Sequence, residues 1–214
     1  KGWDENKLDM FRRHIIQLGT TGVFVIYDEL EGKEAVTWSY LLHTVELPME
    51  IQELTDEVKV IGKNKAGGVS VAHLFSSAKT EQAMVDTFFC APTNWKNVTN
   101  AQGKALKYPN HWHFSSTTVP CKTARFLTVM DTHGKNRPDM QVVRKGNTIQ
   151  VGDWTITCNL TEKGKAAIYV SNKTEKVSLN YDAGKKEGAT IVTDQVKGKQ
   201  VNKVLTDYLP DFEI

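Results

Sequence analysis

The feature that most limits what this chain can fold into is a run of short apolar segments, from Ile15 to Val192, mostly bounded by Gly, Asn, Asp or Lys. They recur roughly every 8 to 12 residues and are rich in Val, Ile, Thr, Tyr, Phe and Trp, the composition of half-buried strands. Between Phe11 and Val45 the runs Ile15–Leu18, Val23–Tyr27 and Val36–Val45 are separated by Gly19-Thr20-Thr21-Gly22 and Glu31-Gly32-Lys33, which predicts a three-stranded meander. Further strands are expected over Val58–Ile61, Val69–Phe75, Met84–Phe89, His111–Thr118, Ala124–Met130, Met140–Arg144, Thr148–Val151, Trp154–Leu160, Ala166–Ser171, Val177–Tyr181 and Thr190–Val192. The best short helical candidate is Ser77–Met84, which could equally be an extended connector.

Such spacing favours an all-β, large antiparallel β-sandwich over alternating β and α units. The punctuation at Asp131–Pro138 either joins two strands or separates residues 1–130 from a smaller C-terminal β unit, 131–214. A chain of 214 residues can bury an adequate core as one unit.

Lys and Arg number 27 against 25 for Asp and Glu, without a basic block, which argues against a nucleic-acid partner. A few placed cations could still hold an anionic polysaccharide. No apolar run approaches the roughly 20 residues that span a bilayer. Cys90, Cys121 and Cys158 lack metal or scaffold spacing and read as small core side chains. The glycosylation triplets at Asn97, Asn159 and Asn172 have little weight alone. There is no nucleophile elbow, P-loop, zincin helix or dinucleotide fingerprint.

Several residues are candidates for chemistry. His111 and His113 are two apart on a strand and so share a face, where they could hold a zinc ion with a third ligand such as His133, Asp131 or Cys121. The preferred reading is of two hydrogen-bonding residues flanking Trp112. His43 ends an apolar run, a position suited to a cleft or, as the preferred alternative, to a structural histidine bonded to a backbone carbonyl. Arg12 and His14 share one face of their strand, with Arg13 on the other. Trp95 and Lys96 lie in the polar loop Thr93–Pro109, where an exposed indole beside lysines could stack on a sugar ring. Trp154, in an alternating run, is assigned to the core.

The order Arg12-Arg13-His14-Ile15-Ile16, Val25-Ile26-Tyr27-Asp28-Glu29-Leu30 and Trp38-Ser39-Tyr40-Leu41-Leu42-His43-Thr44 resembles the C-terminal β-sheet region of the heparinase II/III-like polysaccharide lyases. His111-Trp112-His113-Phe114, Arg125–Val129 and Val151–Ile156 extend the resemblance over most of the chain.

The resemblance implies part of a secreted or periplasmic bacterial enzyme that cleaves an acidic, uronate-containing polysaccharide by β-elimination. It also implies an upstream α/α-toroid as partner. The principal catalytic residues, and any divalent metal of the full-length protein, would then precede Lys1. The fragment itself would need no cofactor, would be inactive alone, and would form a cleft wall. Two alternatives remain on the sequence: a stand-alone carbohydrate-binding module, and a structural sandwich that mediates subunit contacts.

Overall fold

The computed structural model describes residues 7–45, 47–86, 100–104 and 111–184, and the backbone of 190–196 and 199–205. The chain is all-β, as expected, with three antiparallel sheets. A six-stranded sheet has the order β1 (Leu8–Gln17), β2 (Val23–Val36), β9 (Cys121–Gly134), β6 (Gly68–Ser76), β5 (Val58–Lys63), β4 (Glu50–Glu53). A three-stranded sheet is ordered β3 (Ser39–Val45), β8 (His111–Thr118), β7 (Thr80–Val85). The remaining strands form a sequential meander of seven: β10 (Val142–Lys145), β11 (Thr148–Val151), β12 (Trp154–Cys158), β13 (Ala167–Asn172), β14 (Val177–Asp182), β15 (Thr190–Val196) and β16 (Lys199–Leu205).

Strand alternation divides the six-stranded sheet between two cores. Val23, Val25 and Tyr27 of β2, Phe75 of β6, and Leu127 and Val129 of β9 pack with Ile149, Ile156, Ile168 and Tyr181 of the seven-stranded sheet. Leu30, Leu74, Ala124 and Phe126 point the opposite way, against Tyr40 and Phe114 of the three-stranded sheet. The six-stranded sheet is therefore the middle layer of three. This explains why Ala124 to Val129 is buried without interruption instead of alternating with exposed positions.

Three sequence expectations are corrected. The opening meander is broken, because β1 and β2 form a hairpin but β3 leaves for another sheet. Glu31-Gly32-Lys33 does not turn the chain; β2 runs through it with a register irregularity between Glu31 and Val36. The Lys33 amide donates to the Lys7 carbonyl and Leu8 pairs with Gly32, so the start of β1 keeps this stretch extended. The bend comes later, at Trp38, whose backbone amide donates to Thr118 Oγ1 and whose indole donates to the Cys121 carbonyl.

Ser77–Met84 is not helical, because Thr80, Gln82 and Met84 alternate with exposed Glu81, Ala83 and Val85 and pair with β8. The strand expected over Met84–Phe89 is this same strand ending at Val85; residues 87–89 lie outside those described.

The Gly19–Gly22 turn does form. Gly22 has φ of 79°, and a Cβ there would come within 2.6 Å of the Thr132 carbonyl oxygen. Gly22→Ala is therefore expected to cost about 1–3 kcal/mol, read as a lower urea midpoint, since both the backbone conformation and the packing oppose it. An unchanged midpoint would contradict this account of the turn.

Candidate functional site

The three-stranded sheet has one buried and one open face. Tyr40, Leu42, Phe114 and Met84 pack inward, which leaves Leu41, His43, Val45, His111, His113, Ser115, Ala83 and Val85 on the opposite side. Leu41, Val45 and Val85 are 45%, 45% and 41% exposed, an apolar content that a solvent-facing layer does not need. His43 pairs with His113 across the strands, and their rings meet edge to face at 4.4 Å between centroids. His111 lies opposite Val45. Burial lowers the His113 pKa below its ordinary value, helped by the neighbouring charges of His43 and His111.

The structure thus brings His43 to the pair His111 and His113, from which the sequence reading kept it separate. His43 faces a ring rather than the backbone carbonyl that the sequence reading preferred for it. Among the described residues no group of three or more His, Cys, Asp and Glu could hold a metal ion. The third ligands considered from sequence have other neighbours: His133 lies 3.1 Å from Asp139, Asp131 bonds Arg137, and Cys121 contacts Thr118.

At its Val45 end the open face runs into a groove of about 510 Å³ between β3, the β5–β6 turn and the end of β9. Gly62 permits the close approach there, since a Cβ would sit 2.9 Å from Thr44 Cγ2. A second hollow of about 420 Å³ shares Lys63, Asn64, Gly68, Val69 and His133 with the first and reaches Lys135, Arg137 and Asp139. Both lie within the range of about 300–1,000 Å³ usual for ligand sites. The Asn64 side chain closes the turn by accepting from the Gly68 amide at 2.7 Å. His133 is fixed by the Gly134 carbonyl at 2.8 Å and by Asp139. Lys63 and Lys135 are exposed and form no ion pair among the described residues.

Arg12 and His14 occupy one face of β1, with Arg13 on the other, as alternation requires. They are brought together, but against the seven-stranded sheet. Arg12 donates to Tyr181 Oη and lies 3.4 Å from Glu29, Tyr181 donates to Glu29 at 2.9 Å, and the His14 ring lies 4.2 Å from that of Tyr181. Opposite Glu29 on β9 is Arg125, whose guanidinium donates to the Thr161 and Gly164 carbonyls at 2.6 Å each. Arg13 forms a bidentate pair with Asp28 at 2.7 and 2.8 Å and packs over Tyr40. These groups lock layers together, so the reading of Arg12 and His14 as a substrate surface gives way to a structural one.

Trp95 and Lys96 lie outside the described residues, as does Cys90. Trp154 is in the core, and Cys158 is a buried free thiol. Asn159 spends its side chain on a turn, donating to the Lys163 and Lys165 carbonyls, and Asn172 is buried, so both triplets have structural explanations.

Sequence reasoning missed Lys63, Asn64 and Lys135. Lys63 ends β5, and Asn64 and Lys135 sit in turns that read as simple punctuation. Only the antiparallel register of β6 on β9, with Gly68 opposite Gly134, puts both turns at the same end of the sheet. No family model and no curated protein matches the chain.

Proposed function

We propose that the chain is the C-terminal β-sandwich portion of a heparinase II/III-like polysaccharide lyase, secreted or periplasmic, acting on an acidic, uronate-containing polysaccharide by β-elimination. It forms one wall of the cleft and supports an upstream α/α-toroid. The observation that carries this reading is the open face of the three-stranded sheet. It presents His43, whose ring rests on that of the buried His113, among exposed Leu41, Val45 and Val85, and so offers both a polar contact and apolar area to something laid across it.

The chemistry sets what a wall can and cannot do. β-Elimination needs the uronate carboxylate neutralised, the proton beside it removed, and a proton returned to the leaving oxygen, each by a group within hydrogen-bond reach. Among the described residues of the open face, the side chains suited to proton transfer are the histidines and Glu81 of β7, and a rigid sheet presents them from one side of the substrate. The base and acid that complete the set belong to the upstream domain. Any divalent metal implied by the resemblance is assigned to the upstream domain as part of this proposal, and no step is routed through it.

The test follows the ultraviolet absorbance of unsaturated uronate. Residues 1–214 alone are expected to give no turnover, and the full-length polypeptide to give clear turnover on at least one uronate polymer. Activity from the isolated chain would overturn the division of labour. Inactivity of the full-length protein on every uronate polymer would overturn the lyase assignment.

A further inference from the structure

We infer that the groove at the β5–β6 turn is a subsite for the anionic groups of a polysaccharide, with Lys63 and Lys135 as its cationic contacts. This rests on the proposed lyase reading and adds a location that the open histidine face does not provide. Four cationic or ionisable basic side chains, Lys63, His133, Lys135 and Arg137, border the two joined hollows. Arg137 is held by the buried Asp131, which also accepts from the Met140 amide at 2.7 Å. Asp139 is met by His133 at 3.1 Å and by Lys59 at 3.8 Å, so its carboxylate is already balanced. What remains facing the groove is the charge of Lys63 and Lys135.

The floor is shaped for a chain to pass. Gly67 has φ of 89°, and a Cβ there would meet Lys135 Cγ and Cδ at 3.5 and 3.1 Å. The bare backbone therefore lets the Lys135 stem lie across the turn, where the exposed side chain lines the second hollow. Because Val45 lines the groove and also belongs to the open face, a polymer on the histidine wall can continue into the groove without leaving the surface. Two lysine point charges suit sulfate or carboxylate groups spaced along a flexible polymer better than one planar bidentate target, for which arginine is the fitting residue.

Binding is measured on residues 1–214 with two end-labelled octasaccharides, one of sulfated glucosamine–uronate and one of unsulfated uronate. K63Q/K135Q is expected to weaken binding of at least one probe about five- to tenfold, the sum of two exposed charge contacts, and to flatten its salt dependence. K145Q/K173Q, on the seven-stranded sheet, is expected to change neither. The arm that responds says whether sulfate or carboxylate is bound. Equal affinity of K63Q/K135Q and the unaltered chain for both probes, or no binding of either, overturns the subsite.

In the full-length protein the same pair should raise KM and leave kcat unchanged. An active full-length lyase with unchanged KM would remove the groove and leave the lyase reading intact. Groove-dependent binding beside a full-length protein that cleaves no uronate polymer would do the reverse.

Discussion

Glu29→Ala is expected to cost about 3–5 kcal/mol of unfolding free energy, the range found when one partner is removed from a buried charge pair. Glu29 is only 7% exposed and lies between Arg12 and Arg125 in the strand pairing. Its carboxylate also accepts the Tyr181 hydroxyl at 2.9 Å. The variant would leave the partly buried Arg12 guanidinium and the Tyr181 phenol without their common acceptor, at the seam between the six-stranded and seven-stranded sheets. Urea unfolding reads the loss directly.

Glu29→Gln keeps an acceptor for Tyr181 and should cost distinctly less than Glu29→Ala. Arg12→Met combined with Glu29→Leu should recover part of the loss, because an apolar pair of similar volume escapes the desolvation that the charges suffer. If Ala and Gln at position 29 prove equally mild, below about 1 kcal/mol, the ladder is an exposed surface arrangement and not a buried seam.

The second large effect appears in alkali. Burial pushes the Cys158 thiol up from its ordinary 9.0 to about 12. Burial, reinforced by the bond to Glu29, pushes Tyr181 from 10.0 to about 12, and burial raises Tyr27 still further. In each case the folded protein holds a proton that the unfolded chain releases at lower pH. The stability these groups contribute is complete below their unfolded pKa values and is lost as pH rises toward the folded ones.

Each group then steepens the decline by about 1.4 kcal/mol per pH unit. Cys158 acts alone from pH 9 to 10, and the two tyrosines join it from 10 to 12, where the combined slope approaches 4 kcal/mol per unit. Unfolding free energies measured from pH 8 to 11 should therefore be flat and then bend sharply downward. A curve with no bend above pH 10 would contradict the burial of these side chains, and Tyr27→Phe should remove one proton from the slope.

The fold class was legible because strand alternation is local. Leu127 and Val129 face one core, Ala124 and Phe126 the other, and any sequence window over β9 shows the β-branched and aromatic character that both cores require. The failures came where pairing overrides local signals. Ser77–Met84 lacks strong strand formers, yet β8 recruits Thr80–Val85 as an edge. Glu50–Glu53 and Lys199–Leu205 are too polar to announce themselves, and each is an edge strand, paired on one side only among the described residues.

The candidate site was less legible for the same reason. His43 and His113 are seventy positions apart in the sequence and become neighbours only through the register of β3 on β8. Arg12 and His14 looked like a cationic surface because nothing near them in sequence reveals Tyr181. Lys63 and Lys135 looked like ordinary turn residues because the groove exists only between turns.

The long central strand has one more consequence, for how the protein comes into being. The C-terminal meander pairs each strand with the one just made, from Val142 to Leu205. The middle sheet does not, since β2 waits for β9 and about a hundred residues separate Val23 from its partner Asp131. At about 5–20 residues per second, a nascent chain spends on the order of 5–20 seconds with β2 paired only to β1. Through that interval the side of β2 from Val23 to Glu31 is an open template for any extended segment nearby. Growth of the polypeptide and misassociation of its first third therefore run as a race, and the arrival of β9 on the ribosome decides it.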